Sequence, residues 1–181
     1  SLAGTVVILA LSTFIVKLAS KIGKKELSMI GCFISAASFI LLFIIHTHNV
    51  LVWVGLIIVA TIGTSMFNMV IWAMITDVID ESEVQTGVRQ DGTIYSVYSF
   101  ARKLGQACSS GLSGVLLSII GYTSVTAFDP KVVDGIYNIT CLVPAGGMIL
   151  LLLALWFLYP LNKKRVEENA EKLRIKRNEN A

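Results

Sequence analysis

Five apolar runs divide the chain, at 2–16, 27–45, 50–76, 93–125 and 135–162. The hydrocarbon core of a bilayer is about 30 Å thick and needs roughly 20 largely apolar helical residues to cross it. Each run therefore predicts a membrane-spanning helix, although the first is somewhat short. The second and third carry no charge, and the fourth is interrupted only by Arg102 and Lys103. The connections are too short to hold a soluble domain. The pattern predicts an all-α membrane protein, with a transmembrane half-bundle over 1–162 and a polar tail over 163–181.

Composition agrees with that class. The chain is 55% hydrophobic and 15% charged, with mean hydropathy +0.74, whereas soluble domains hold about 45–50% apolar and about 25% charged residues. Cys32, Cys108 and Cys141 lie in apolar stretches without CxxC spacing and read as small packing residues. The chain opens on Ser1 within an apolar run, which predicts further helices upstream.

The distribution of charge sets orientation. Lys17, Lys21, Lys24 and Lys25 make the first connection basic. Arg89, Arg102 and Lys103 mark the third, and Lys163, Lys164, Arg165, Lys172, Arg174, Lys176 and Arg177 mark the tail. The second and fourth connections lack this excess. Basic segments stay on the cytoplasmic side, so the acidic loop and the C-terminus are predicted to be cytoplasmic in the inner (plasma) membrane. The tail reads as a solvated end that helps fix topology, or as a contact for anionic lipid. Its i,i+3 and i,i+4 charge pairs suit an exposed helix. Nucleic-acid binding has no support beyond this short basic run.

Two polar stripes run through the third and fourth spans. Thr61, Ser65, Asn68, Trp72 and Thr76 share one helix face; Tyr95, Ser99, Lys103, Gln106, Ser110 and Ser113 share another. Interhelical hydrogen bonding accounts for the small polar residues. Lys103 needs a carboxylate, a cavity or the interface, because an intramembrane charge costs about 2.5–3.5 kcal/mol on insertion scales. Arg102 points about 100° away and is predicted to snorkel or to pair with acids. Those acids, Asp77, Asp80, Glu81 and Glu83, are read as a loop at the end of the third span. They are either a solvated flank or a gate in which Asp77, Asp80 and Glu83 pair with arginines. His46 and His48 in an outer turn read as an interfacial pair, with no metal expected. No HExxH or GxSxG motif occurs, so neither an enzyme nor a cofactor is predicted.

The run D-V-I-D-E-S-E-V-Q-T-G-V-R, followed by I-Y-S-V-Y-S-F-A-R-K-L-G-Q-A, resembles the glycoside–pentoside–hexuronide:cation symporter family of the major facilitator fold. The matching positions are Asp77, Asp80, Glu83, Thr86, Gly87, Arg89, Phe100, Ala101 and Lys103. Gly23, Lys24 and Lys25 also look like the basic loop that facilitators repeat in each half. The resemblance implies helices 8–12 of twelve, with an N-terminal half missing, and cation-coupled (Na⁺ or H⁺) sugar symport by alternating access. The main ion site would lie in the missing half. It further implies that Lys103 and Ser99 approach the sugar cavity, with Asn68, Gln106, Trp72 and Tyr95 as further substrate contacts. Asp77, Asp80, Glu83, Arg89 and Arg102 would form the cytoplasmic gate. Glu81 and Ser82 stand where the family usually has an aromatic residue and glycine, and Val84 and Gln85 where it has an aromatic residue and lysine. A gate built with these residues is retuned or relaxed. The alternative function is a sugar-sensing membrane subunit or a relic that has lost transport.

Overall fold

The computed structural model describes residues 15–47 and 49–179. Residues 15–22 are helical (α1). They are followed by α2 (Lys24–Ile45), α3 (Val50–Thr86), α4 (Asp91–Ile119), α5 (Pro130–Phe157) and α6 (Lys163–Glu179). The predicted run at 2–16 lies almost wholly outside the described residues.

α2 is the central helix, packed between α3 and α5. Its buried positions Leu27, Ser28, Gly31, Cys32, Ser35, Ala36, Ser38 and Leu42 recur every three or four residues, the spacing of one helix face. Leu27 and Cys32 join Val70 and Met74 of α3, Leu155 of α5, and Ile15 and Ala19 of α1 in the main core. Gly31 and Gly63 meet where α2 crosses α3. A Cβ on either glycine would stand 2.5 Å from the other's carbonyl oxygen, so the two backbones approach as closely as small residues allow. Beside the crossing, the hydroxyls of Ser35 and Thr64 lie 3.1 Å apart. The outward faces keep Ile30, Phe33, Ile44, Leu150 and Trp156 exposed, as suits contact with lipid.

α2, α3 and α5 are long and apolar enough to cross a membrane. α4 is long enough, but glycines, serines, Arg102 and Lys103 dilute its hydropathy. Three of the five predicted spans are thus met on length and composition among the described residues. α4 leans chiefly on α3 and has no buried residue.

Several boundaries differ from the sequence expectation. The acids are not in a loop: α3 continues through them to Thr86. Acids at i, i+3 and i+4 are compatible with a helix, and it is Gly87, in the left-handed region at φ 77°, that ends it. The helix predicted to reach 125 stops at Ile119, where Thr126 Oγ1 donates to Gly121 O at 2.7 Å and closes a turn. α5 begins at Pro130, five residues before the predicted span, because the Asp129 side chain caps the Lys131 N–H and proline suits the first helical position. His46, left-handed at the end of α2, places its ring 4.5 Å from that of Tyr137 and Nε2 2.8 Å from Asp134. His48 lies outside the described residues.

The tail is not simply solvated. Asn162 accepts from the Arg165 N–H and opens α6, which lies along α3. Asn169 and Leu173, one turn apart, are each only 4% exposed.

Candidate transport site and acid cluster

The acid end of α3 is a set of ion pairs with four basic partners, Lys24, Arg89, Arg165 and Arg177. Asp77 faces α2, and its carboxylate accepts from Lys24 Nζ at 2.6 Å. Its second oxygen is buried without a hydrogen-bond partner. Nearby, Tyr159 donates to Met74 O at 3.3 Å. Asp80 and Glu83 accept from Arg89 Nη1 at 2.9 and 3.0 Å. The turn at Gly87 folds the chain back to make this possible. Asp91 takes Arg89 Nε at 2.8 Å. Hydrogen bonds to these carboxylates, Asp80 foremost, raise the Arg89 guanidinium still further above its ordinary value.

Glu81 belongs to the tail. Arg165 donates to it through Nε at 3.2 Å and also through Nη2. Asn169 Nδ2 and Gln85 Nε2 donate at 2.5 Å each. Arg177 of α6 reaches Glu83 at 3.5 Å, and Lys176 Nζ donates to Gly87 O at 3.2 Å. Glu81 and Gln85, two of the positions that depart from the family pattern, thus sit where the tail helix docks. Glu81→Ala is expected to loosen α6, so trypsin should cleave the purified full-length protein faster after Lys163, Lys164 and Arg165. Unchanged cleavage would mean that burial of Leu173 holds the helix without the ion pair.

Two gate expectations are corrected by these contacts. Asp77 pairs with a lysine of another helix, not an arginine, because its side of α3 is the one packed on α2. Arg102 makes no ion pair with the acids among the described residues. It lies instead with Cζ 6.0 Å from the Trp72 ring centroid, because its face of α4 is turned toward Trp72.

That contact belongs to a groove between α3 and α4 of about 590 Å³, lined by Phe67, Asn68, Ile71 and Trp72 of α3 and by Tyr98, Ala101 and Arg102 of α4. The Trp72 ring lies 5.4 Å from Tyr98, edge to face, and 6.3 Å from Tyr95. Asn68, Trp72 and Tyr95 of the predicted substrate set are therefore brought together. Ser99, Lys103 and Gln106 are exposed on the adjoining face of α4, and none of them lines this groove. Among the described residues no hydrogen bond or ion pair engages Lys103, and no group of His, Cys, Asp and Glu could hold a metal ion.

Sequence reasoning missed Lys24 as the partner of Asp77, Tyr98 as a groove wall, and Arg165, Asn169 and Arg177 as partners of the acids. Tyr98 lies four residues before Arg102 and three after Tyr95, a spacing that could have placed it on their face.

The sequence model for MFS/sugar transport proteins matches residues 1–163. The chain belongs to that family. A glucuronide carrier protein homolog of Escherichia coli is 33% identical over 93% of this chain and 36% of its own length. An uncharacterised symporter of Bacillus subtilis is 38% identical over 84% of this chain and 33% of its own length. A putative sulfoquinovose importer of Salmonella typhimurium is 33% identical over 84% of this chain and 33% of its own length. The chain thus spans about a third of the length of these curated relatives. The family description and these names concern transport, not catalysis. They support the symporter family to which the motif around Asp77–Lys103 points.

Proposed function

We propose that the protein containing this chain is a secondary transporter that carries a glycoside, pentoside or hexuronide with Na⁺ or H⁺ by alternating access. Residues 1–162 would form its C-terminal half-bundle in the plasma membrane, with 163–181 on the cytoplasmic side. The observation that carries this reading is the pairing, along α3 and α4, of an aromatic groove with an ion-paired acid cluster. Trp72 and Asp77 are five residues apart, about 7.5 Å along a helix. A sugar needs apolar faces for its C–H surface and polar groups for its hydroxyls. Trp72 and Tyr95 supply the first; Asn68 supplies the second within the groove, and Ser99 and Gln106, on the adjoining face of α4, would add to it where the rest of the transporter completes the cavity. Lys103 tunes the coupling ion, whose main site lies in the other half. Arg89 with Asp80 and Glu83, and Lys24 with Asp77, close the cytoplasmic side through pairs that separate when the cavity opens inward. Ion pairs suit such a two-state element, since they are either made or broken.

The test uses the full-length protein in proteoliposomes. Labelled glycosides and hexuronides are offered with a Na⁺ gradient, with a proton gradient, and with neither. Uptake that requires one gradient and changes with Lys103→Ala is expected. Binding of a sugar without uptake under either gradient would instead favour the sensor or relic reading.

A further inference from the structure

We infer that α6 is a strap that holds the cytoplasmic gate shut, and that Glu81 is the residue it fastens to. This rests on the transporter reading above and adds a control to the gate that reading describes. α3 and α5 lie on either side of α2. The linker after α5 carries the chain across, and α6 then lies along α3. The first turn of α6 is tied to the end of α1, where Lys163 Nζ donates to Lys21 O at 3.1 Å. From there Arg165, Asn169, Leu173 and Arg177 recur every four residues, which puts them on a single helix face. Leu173 is buried, and the three polar side chains reach Glu81 or Glu83.

The strap grips the gate at three points. Arg165 and Asn169 hold Glu81. Arg177 stands 3.5 Å from Glu83 Oε2, the same oxygen that accepts from Arg89 at 3.0 Å. Lys176 Nζ donates to Gly87 O at 3.2 Å, and Gly87 is the turn that brings Arg89 back to Asp80 and Glu83. While α6 is docked, an acceptor of Arg89 and the turn that aims Arg89 are both braced. When it lifts, Glu83 loses one of its two cations and the turn loses its brace.

Glu81 sets the strength of the hold. Its side chain is 13% exposed. Arg165 donates to both of its carboxylate oxygens, and Asn169 and Gln85 each add a bond of 2.5 Å. A forked pair with added hydrogen bonds is stronger and more directional than a lone surface pair. Asn162 also accepts from the Arg165 N–H, so this arginine is fixed at backbone and side chain alike. Glu81 and Gln85 are two of the residues that depart from the family motif. Together they make the receptor for the tail.

The experiment places a cysteine at Ser99, on the α4 face that adjoins the groove, in an otherwise cysteine-free full-length protein. The rate at which a membrane-impermeant maleimide labels it is measured from the cytoplasmic side of inside-out vesicles. A closed inner gate keeps that labelling slow. Arg165→Glu, and separately Glu81→Arg, are expected to speed it at least about 5-fold, the lower end of the usual coupling between two sites. The two together restore an ion pair of reversed sense, with Asn169 and Gln85 turning their amide oxygens toward it, and labelling should fall back most of the way. The wild type should respond as the single variants do in about 1 M salt, where the screening length is about 3 Å. Trypsin cleavage after Lys163 and Lys164 reports on the same samples whether α6 has come away. Glu81→Gln carries the test if a reversal variant does not reach the membrane.

Labelling that stays slow while trypsin shows α6 released overturns the inference, since the tail then docks without holding the gate. Single reversals that leave α6 docked overturn it too, as does a double reversal no better than either single. Gradient-driven sugar uptake with labelling indifferent to α6 leaves the transporter standing while the inference falls. No uptake of any sugar in the panel, with labelling still governed by α6, removes the transport reading and leaves the strap closing the inner end.

Discussion

Gly63→Val is expected to break the crossing of α2 and α3 and to lower the stability of the full-length protein sharply. A Cβ at this position meets the α2 backbone at two points, the Gly31 carbonyl oxygen at 2.5 Å and the Ser35 nitrogen at 2.9 Å. A flexible side-chain tip could yield to it; two packed helical backbones cannot without moving apart. Helices in lipid gain little from hydrophobic association with each other and depend on close packing. Separating them also breaks the Ser35–Thr64 hydrogen bond and disturbs the core pairing of Leu27 and Cys32 with Val70 and Met74. Overpacking of this kind costs about 1–3 kcal/mol and at times more. Gly63→Ala should do less harm than valine but still destabilise. Thermal unfolding of the detergent-solubilised protein, followed by loss of the monodisperse size-exclusion peak, measures both. A valine variant as heat-resistant as wild type would show that the two helices do not meet this closely.

Lys24→Met is expected to be nearly as damaging, and the damage should be repaired by a second substitution at Asp77. The Asp77 side chain is 6% exposed, and one of its oxygens already lacks a partner. Removing Lys24 leaves a buried carboxylate without its cation, a change that typically costs about 3–5 kcal/mol. Replacing both members with apolar residues removes the unpaired charge, so Lys24→Met with Asp77→Leu should recover most of the lost stability. The same unfolding assay, arranged as a double-mutant cycle, gives the coupling directly. Additive losses would mean that the two side chains act independently. The cycle also separates stability from transport: a repaired double variant that still fails to move sugar would place the pair in gating and not only in packing.

Much of the fold was legible because bilayer helices announce themselves by length and hydropathy. The runs at 27–45 and 50–76 needed nothing else. Leaving the membrane and leaving the helix are separate events in α3. Asp77, Asp80, Glu81 and Glu83 mark the first event, and Gly87 the second. The tail was legible as a helix from its charge spacing, and Arg165, Asn169 and Leu173 visibly share a face. What that face binds depends on Glu81, which lies 84 residues from Arg165. No local pattern reports a pair so distant, and the same holds for Lys24 and Asp77, 53 residues apart. Arg102 shows the limit from another side. Its 100° offset from Lys103 followed from helix geometry, but which of the two faces α3 depends on how α4 is rotated. The buried serines 28, 35 and 38 of α2 leave no mark on the sequence pattern, because small hydroxyls hardly change the hydropathy of a run.

The length of α3 has a mechanical consequence. Its 37 residues make a rod of about 55 Å, well beyond the roughly 30 Å of hydrocarbon it has to cross. The glycine contact with α2 acts as a fulcrum, and Glu83 lies 20 residues beyond it, an arm of about 30 Å. A tilt of about 10° about that point would sweep the acid end through about 5 Å, more than the pairs of Glu81 and Glu83 with Arg165 and Arg177 of α6 could follow without breaking. An overhang of this length would work as a lever, turning a slight rocking of the bundle into a change of partners at its far end.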